Sequence, residues 1–211
     1  MSTKICIAGN KTIADWHELK QKLQTKKFDE SAWDQAKSLF DLRLQRRYFD
    51  PIEAIRAKSS DGSPQGEGFA ICTLICSLIE AIETFYQGTN FSIKPSKPYE
   101  YGFGSSRSIF RNFLTKRKPF DSYFDESLAD DFYHNVRCAL LHEACTRSGW
   151  VINIRGSESI SIKGKAKSLN RSLFVSDLKE CIKLYKEQLY KSSSLREAFV
   201  RKFDGICHNS S

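Results

Sequence analysis

The segment Asn135-Val136-Arg137-Cys138-Ala139-Leu140-Leu141-His142-Glu143-Ala144 sets one arginine and one histidine, with four residues between them, into an otherwise apolar helical run. Both are costly there unless used. A buried guanidinium needs an anionic partner, and an imidazole exchanges a proton near neutral pH. The structural use of the same pair is an arginine paired with Glu80 or Glu83 and a histidine hydrogen-bonded in the core. Five steps of about 100° place the two side chains roughly 140° apart on a regular helix, so a single straight helix does not focus both. Asn135 lies seven residues before His142 on nearly the same face; it is a candidate polar support, or an ordinary exposed asparagine. A second pattern shares the run: His134, Cys138, His142 and Cys145 form one stripe of zinc-type ligands. The helical rise separates the outer two by about 16 Å, so no more than two could serve one tetrahedral ion, and buried thiols are the commoner use. No metal and no cofactor is assigned on these residues.

These residues must be positioned by a helix, and the flanking sequence supplies one. Ser122 with Asp125 has capping-box spacing, and Leu128, Phe132, Val136, Ala139 and Leu140 give an apolar stripe running to about Cys145. Upstream, Trp33, Ala36, Phe40 and Leu44 mark a helix over 31–49 that should stop or bend at Asp50-Pro51, with a short helix from Pro51 to Lys58 capped afresh by Asp50. A loop spans Ser59 to Gly68. The run Glu67 to Tyr86 is apolar around most of its circumference, as expected of a helix at the centre of a bundle, and Gly88 closes it. Glu80 and Glu83 interrupt it on one face, and the plainest reading points them to solvent near the helix end.

Gln87 to Gly104 reads as an irregular excursion, followed by a short basic helix over Ser105 to Lys118. That helix brings Arg107, Arg111, Lys116, Arg117 and Lys118 together as candidate RNA contacts. Asp121, Asp125, Glu126, Asp130 and Asp131 follow at once and could neutralise them within the fold. Beyond the motif, Val151 to Ile154 and Ser159 to Ile162 have the composition of a β-hairpin. Helix resumes over Ser176 to Lys191, and a last helix capped by Ser194 with Glu197 frays near Gly205.

Composition bounds the rest. At 211 residues, 40% hydrophobic and 27% charged, the chain is one globular domain, not a fibrous or low-complexity one. Its segments are 1–30, an N-terminal helical piece; 31–150, a helical core; and 151–211, a hairpin and helical extension of the same domain. The nearly uncharged stretch Phe69 to Ile79 is half the length of a bilayer span, and Met1 to Asn10 lacks a secretory signal, so the expected address is the cytoplasm with no membrane partner. Seven cysteines without a CxxC pair read as reduced thiols. From Val151 onward 12 Lys and Arg face 6 Asp and Glu, which is +6 of the net +8. That asymmetry suits a polyanion such as RNA, and equally a solvated lysine-rich surface.

The arginine, four residues, histidine arrangement in a late helix resembles the signature of HEPN domains, the nucleotide-binding domains of higher eukaryotes and prokaryotes. The stretches Leu44 to Ile52, Gly66 to Phe69, Leu78 to Glu80 and Val136 to Ser148 are similar to a bacterial group of HEPN-like proteins, and the likeness covers Trp33 to Trp150. The resemblance implies a mainly α helical bundle and metal-independent endoribonuclease activity, in the setting of a toxin or defence effector. His142 would act as general acid or base for the RNA 2′-hydroxyl or the leaving oxygen. Arg137 would stabilise charge on the phosphate, with Asn135, Cys138 and Glu80 in support. It also implies a homodimer whose paired motif helices share one cleft, and admits an antitoxin or effector protein as a partner. One departure is Cys138, where nucleases of the family usually carry a polar residue. The other expectation is a catalytically inactive HEPN module that binds nucleotide, RNA or a protein.

Overall fold

The computed structural model describes residues 5–25, 28–58 and 66–210, and it is mainly helical. The N-terminal piece opens on two short antiparallel strands, β1 (Cys6–Ala8) and β2 (Lys11–Thr12), before the first helix, α1 (Ile13–Leu23). Thr12 and Asp15 cap α1 reciprocally, the Thr12 amide donating to Asp15 Oδ2 at 2.7 Å and the Asp15 amide to Thr12 Oγ1 at 3.4 Å. The N-terminal segment expected to be helical thus carries α1 together with two short strands not expected from the sequence.

Helix α2 (Glu30–Leu44) starts at an Asp29 cap and does not stop at the proline. It runs through a π-helical turn, Gln45–Phe49, straight into α3 (Asp50–Lys58). A π turn has one more residue per turn than the α-helix, which eases the clash between the Pro51 ring and the preceding carbonyls. Asp50 is therefore not a fresh cap; its carboxylate accepts from Gln45 Nε2 at 2.6 Å and Arg46 at 3.1 Å. Of the loop expected at Ser59 to Gly68, positions 59–65 lie outside the described residues.

Helix α4 (Glu67–Gln87) is the axis of the fold, packing against α3 and four elements further on: α5 (Ser106–Lys116), α7 (Ala139–Glu143), α8 (Arg171–Lys191) and α9 (Ser193–Ser210). By length and composition it would also suit a membrane span, yet 56% of its most apolar window is buried inside the bundle. Gly88 ends α4 in a left-handed conformation (φ 65°), and a Cβ there would stand 2.6 Å from the Ala198 Cα of α9. Gly88→Ala is expected to lower unfolding free energy by about 2 kcal/mol or more, read from urea denaturation, because it meets backbone and a disfavoured φ together.

The excursion after α4 holds two-residue parallel strands, β3 (Asn90–Phe91) and β4 (Glu100–Tyr101). Asp125 alone caps α6 (Glu126–Phe132), accepting from the Leu128 amide at 2.7 Å; Ser122 takes no part. Helix α6 passes through a second π turn, Tyr133–Cys138, into α7, which closes with Ala144 in the left-handed region.

Beyond the motif stands a three-stranded sheet in the order β5 (Trp150–Asn153), β7 (Ala166–Asn170), β6 (Ile160–Lys163). β5 and β6 do not pair with each other, as the expected hairpin required. β7 lies between them, parallel to β5 and antiparallel to β6. Helix α8 begins five residues earlier than expected because Asn170 caps it, accepting from the Ser172 and Leu173 amides at 3.1 and 3.2 Å. Helix α9 continues past Gly205. The missing side chain there admits Asn90, whose amide atoms would lie about 2 Å from a Cβ and which donates to the Arg201 carbonyl at 3.2 Å. Ser192, not Ser194, supplies the oxygen at its start, accepting from the Leu195 amide at 3.2 Å. Phe199 of α9 meets Trp16, Trp33, Phe40, Phe85 and Phe203, joining α1, α2 and α4 in one aromatic core.

Candidate functional site

Arg137 sits inside the second π turn and faces a cavity of about 570 Å³ whose floor is α4. Its guanidinium lies 3.6 Å from Glu80 Oε2, with about a fifth of each side chain exposed. Glu80 is held from the far side, accepting from the Tyr101 hydroxyl and the Ser106 hydroxyl at 3.2 Å each. Tyr101, placed by β4, is pushed above its ordinary phenol range by burial and by the Glu80 charge. The carboxylate thus carries two hydrogen bonds and one long ion pair, and Arg137 keeps most of its five donors uncommitted. One of them reaches only the Cys138 sulfur, at 4.0 Å.

His142, one turn further along, is exposed and makes no hydrogen bond or ion pair among the described residues. It does not line the cavity that holds Arg137, whereas its neighbour Leu141 does and is 49% exposed. One chain therefore presents the guanidinium on the inner side of the motif helix and the imidazole on the outer side. That is the separation expected from the spacing.

Asn135 serves the chain that follows the helix. Its Nδ2 donates to Asp131 at 2.9 Å, its side-chain oxygen accepts from the Ser148 hydroxyl at 3.0 Å, and its carbonyl accepts from the Arg147 amide at 2.9 Å. Asp131 in turn accepts from Trp150 Nε1 at 2.6 Å and pairs with Lys167 at 2.9 Å, tying the helix to β5 and β7. Its hydrogen bonds from Lys167 and Trp150 outweigh desolvation by burial and lower its carboxyl pKa.

The basic run is largely engaged. Arg107 pairs with Asp130, its Nε at 3.0 Å, and Arg111 lies 3.5 Å from Glu126. Arg117 makes two hydrogen bonds to the buried Glu83, at 2.8 and 3.0 Å, and stacks over the Tyr86 ring. Lys116 and Lys118 remain exposed, with no ion pair among the described residues. Glu83 is fully buried, so the solvent-facing reading of the two α4 acids is corrected, more completely for Glu83 than for the half-buried Glu80.

Among the described residues no three His, Cys, Asp or Glu side chains converge as a metal site. The zinc-type stripe stays spread along its helix.

Two residues of the cavity wall gave no sequence signal, because each is one of several basic residues on an amphipathic helix. Arg43 of α2 donates to the Ile7 carbonyl, and burial, followed by repulsion from Arg47, brings its pKa down to about 10. Lys202 of α9 donates to the Thr89 carbonyl at 3.0 Å, and burial followed by the Arg43 charge brings its pKa down to about 8. No protein-family model, curated protein or solved structure matches this chain.

Proposed function

We propose that this chain is a HEPN-like endoribonuclease that cuts RNA without a metal ion, acting in the cytoplasm as a toxin or defence effector. The observation that carries the reading is an arginine with unused donors and an unpartnered, exposed imidazole five positions on, both on the late helix that packs on the axis of the bundle. In this mechanism His142 accepts the proton of the 2′-hydroxyl, whose oxygen attacks phosphorus. The bond from phosphorus to the 5′-oxygen breaks, and that oxygen leaves as the alcohol after taking a proton from water. Arg137 neutralises charge gathering on the phosphoryl oxygens. The products carry a 2′,3′-cyclic phosphate and a 5′-hydroxyl, and DNA, without the 2′-hydroxyl, is not cut.

The opposed directions of the two side chains favour a site assembled from two copies, with motif helices side by side and Leu141 at the contact. An antitoxin or effector protein would occupy the same outer face. The Arg137–Glu80 pair also favours a second reading, a silent module that binds nucleotide, RNA or a protein and uses the arginine to hold α4 to the motif helix.

Incubation of the full chain with end-labelled RNA and matched DNA in excess EDTA separates the two readings. Cleavage of RNA alone, with cyclic phosphate ends, is the expected result; intact RNA at stoichiometric protein leaves the silent module.

A further inference from the structure

The cavity beside Arg137 holds more positive than negative charge. Arg43, Arg137 and Lys202 reach it from three different segments, and among the described residues Glu80 is the one carboxylate in its lining. Gathering three cations in a partly desolvated space is unfavourable unless an anion joins them. Glu80 does not balance them, since Tyr101 and Ser106 already take up its oxygens and Arg137 stands 3.6 Å away. Each cation also has donors to spare. Arg43 is bonded to one carbonyl, Lys202 to one carbonyl and Arg137 to a weak sulfur acceptor. The remaining wall is mixed: Leu44, Leu74, Leu141 and Ile206 give it apolar patches, Thr73, Ser77 and Thr84 add hydroxyls, and Tyr48 adds a ring. A volume of about 570 Å³ falls within the range of small-molecule sites and exceeds what a bare inorganic ion fills.

We propose that this cavity binds a small phosphate monoester with a compact apolar body, its dianion held between Arg43, Arg137 and Lys202 and its body against Leu44, Ile206 and Tyr48. Three terminal oxygens meet donors from three directions, which a carboxylate with two oxygens does not. Two negative charges match the excess of two positive ones. The inference does not rest on the ribonuclease reading, because His142 takes no part in it. The two meet at one point: a bound dianion would draw Arg137 from Glu80 and compete with RNA for the guanidinium.

Titration calorimetry of the full chain with phenyl phosphate, at low salt and without RNA, tests this. Phenyl phosphate binds, inorganic phosphate binds more weakly, and phenol does not bind. Lys202→Met weakens phenyl phosphate by about tenfold or more, and Lys202→Arg, which keeps the charge, restores most of the affinity. A second readout needs no variant. The groups facing Lys202 around the cavity are Arg43, Arg137, Glu80, Tyr48, Tyr101 and Cys76. Burial holds the Tyr101 hydroxyl and Cys76 thiol protonated, and phenyl phosphate is already a dianion at pH 8. An arriving dianion raises the proton affinity of Lys202, so binding at pH 8 takes up protons and its heat varies with the ionisation heat of the buffer. No binding at millimolar phenyl phosphate, equal binding of phenol, or unchanged affinity in Lys202→Met overturns the proposal. None of these results bears on RNA cleavage, and loss of RNA cleavage in His142→Ala, which is no part of the cavity, leaves this binding in place.

Discussion

If the chain cuts RNA as proposed, His142→Ala is expected to lower cleavage by about a hundredfold or more while the melting temperature stays within a degree or two. General acid–base catalysis by one positioned side chain contributes about 10²–10⁴ in rate. The same side chain is exposed and makes no hydrogen bond or ion pair among the described residues, so its truncation belongs with surface substitutions, which shift stability by about 0.5 kcal/mol or less. Arg137→Ala removes comparable activity with a different accompaniment. It strands Glu80 in a half-buried position, so stability falls as well, and Glu80→Gln in the same chain returns stability without returning cleavage. Cleavage rates from a labelled oligonucleotide, paired with thermal melts, distinguish the two residues. Full activity in His142→Ala would remove the imidazole from the mechanism.

Glu83→Ala is expected to be strongly destabilising. The carboxylate is fully buried and accepts two hydrogen bonds from Arg117 and one from Gln87 at 2.8 Å. Removing it leaves a mostly buried guanidinium over the Tyr86 ring with no counter-charge, a loss of about 3–5 kcal/mol. For a chain of this length that lowers the melting temperature by roughly 6–20 °C in a calorimetric scan. The double variant Glu83→Leu with Arg117→Met recovers most of it, because the desolvation cost of both charges disappears together. A Glu83→Ala protein that melts like the parent would mean water or another group takes over the pairing.

Much of the helical frame follows from local pattern. The apolar stripes of α2, α4, α6 and α8 are written in spacings of three and four, and the glycine after α4 marks its end. Non-local pairing is what the pattern does not carry. The arginines that pair with Glu83 and Glu80 lie 34 and 57 residues away, so the inward direction of these acids has no local signature. β7, Ala-Lys-Ser-Leu-Asn, lacks β-branched residues and is a strand because β5 and β6 supply hydrogen bonds on both sides. Within the site, Arg137 and His142 stand out in sequence because each is costly on an apolar helix. Arg43 and Lys202 do not, since a basic residue on a polar helix face is ordinary.

The wide turn at Tyr133–Cys138 behaves as a single inserted residue carried within the motif helix. Excising a residue from an ordinary stretch would rotate every later side chain by about 100° and unseat the core. Here the exposed His134 can be excised and the segment rewound to the regular repeat, with Phe132 and Leu140 still seated as before. Only the side chains inside the turn would swing, Arg137 among them. The arginine's aim is thus a variable set by chain length, and resetting it also obliges the core to repack around Val136, which is buried inside the same turn.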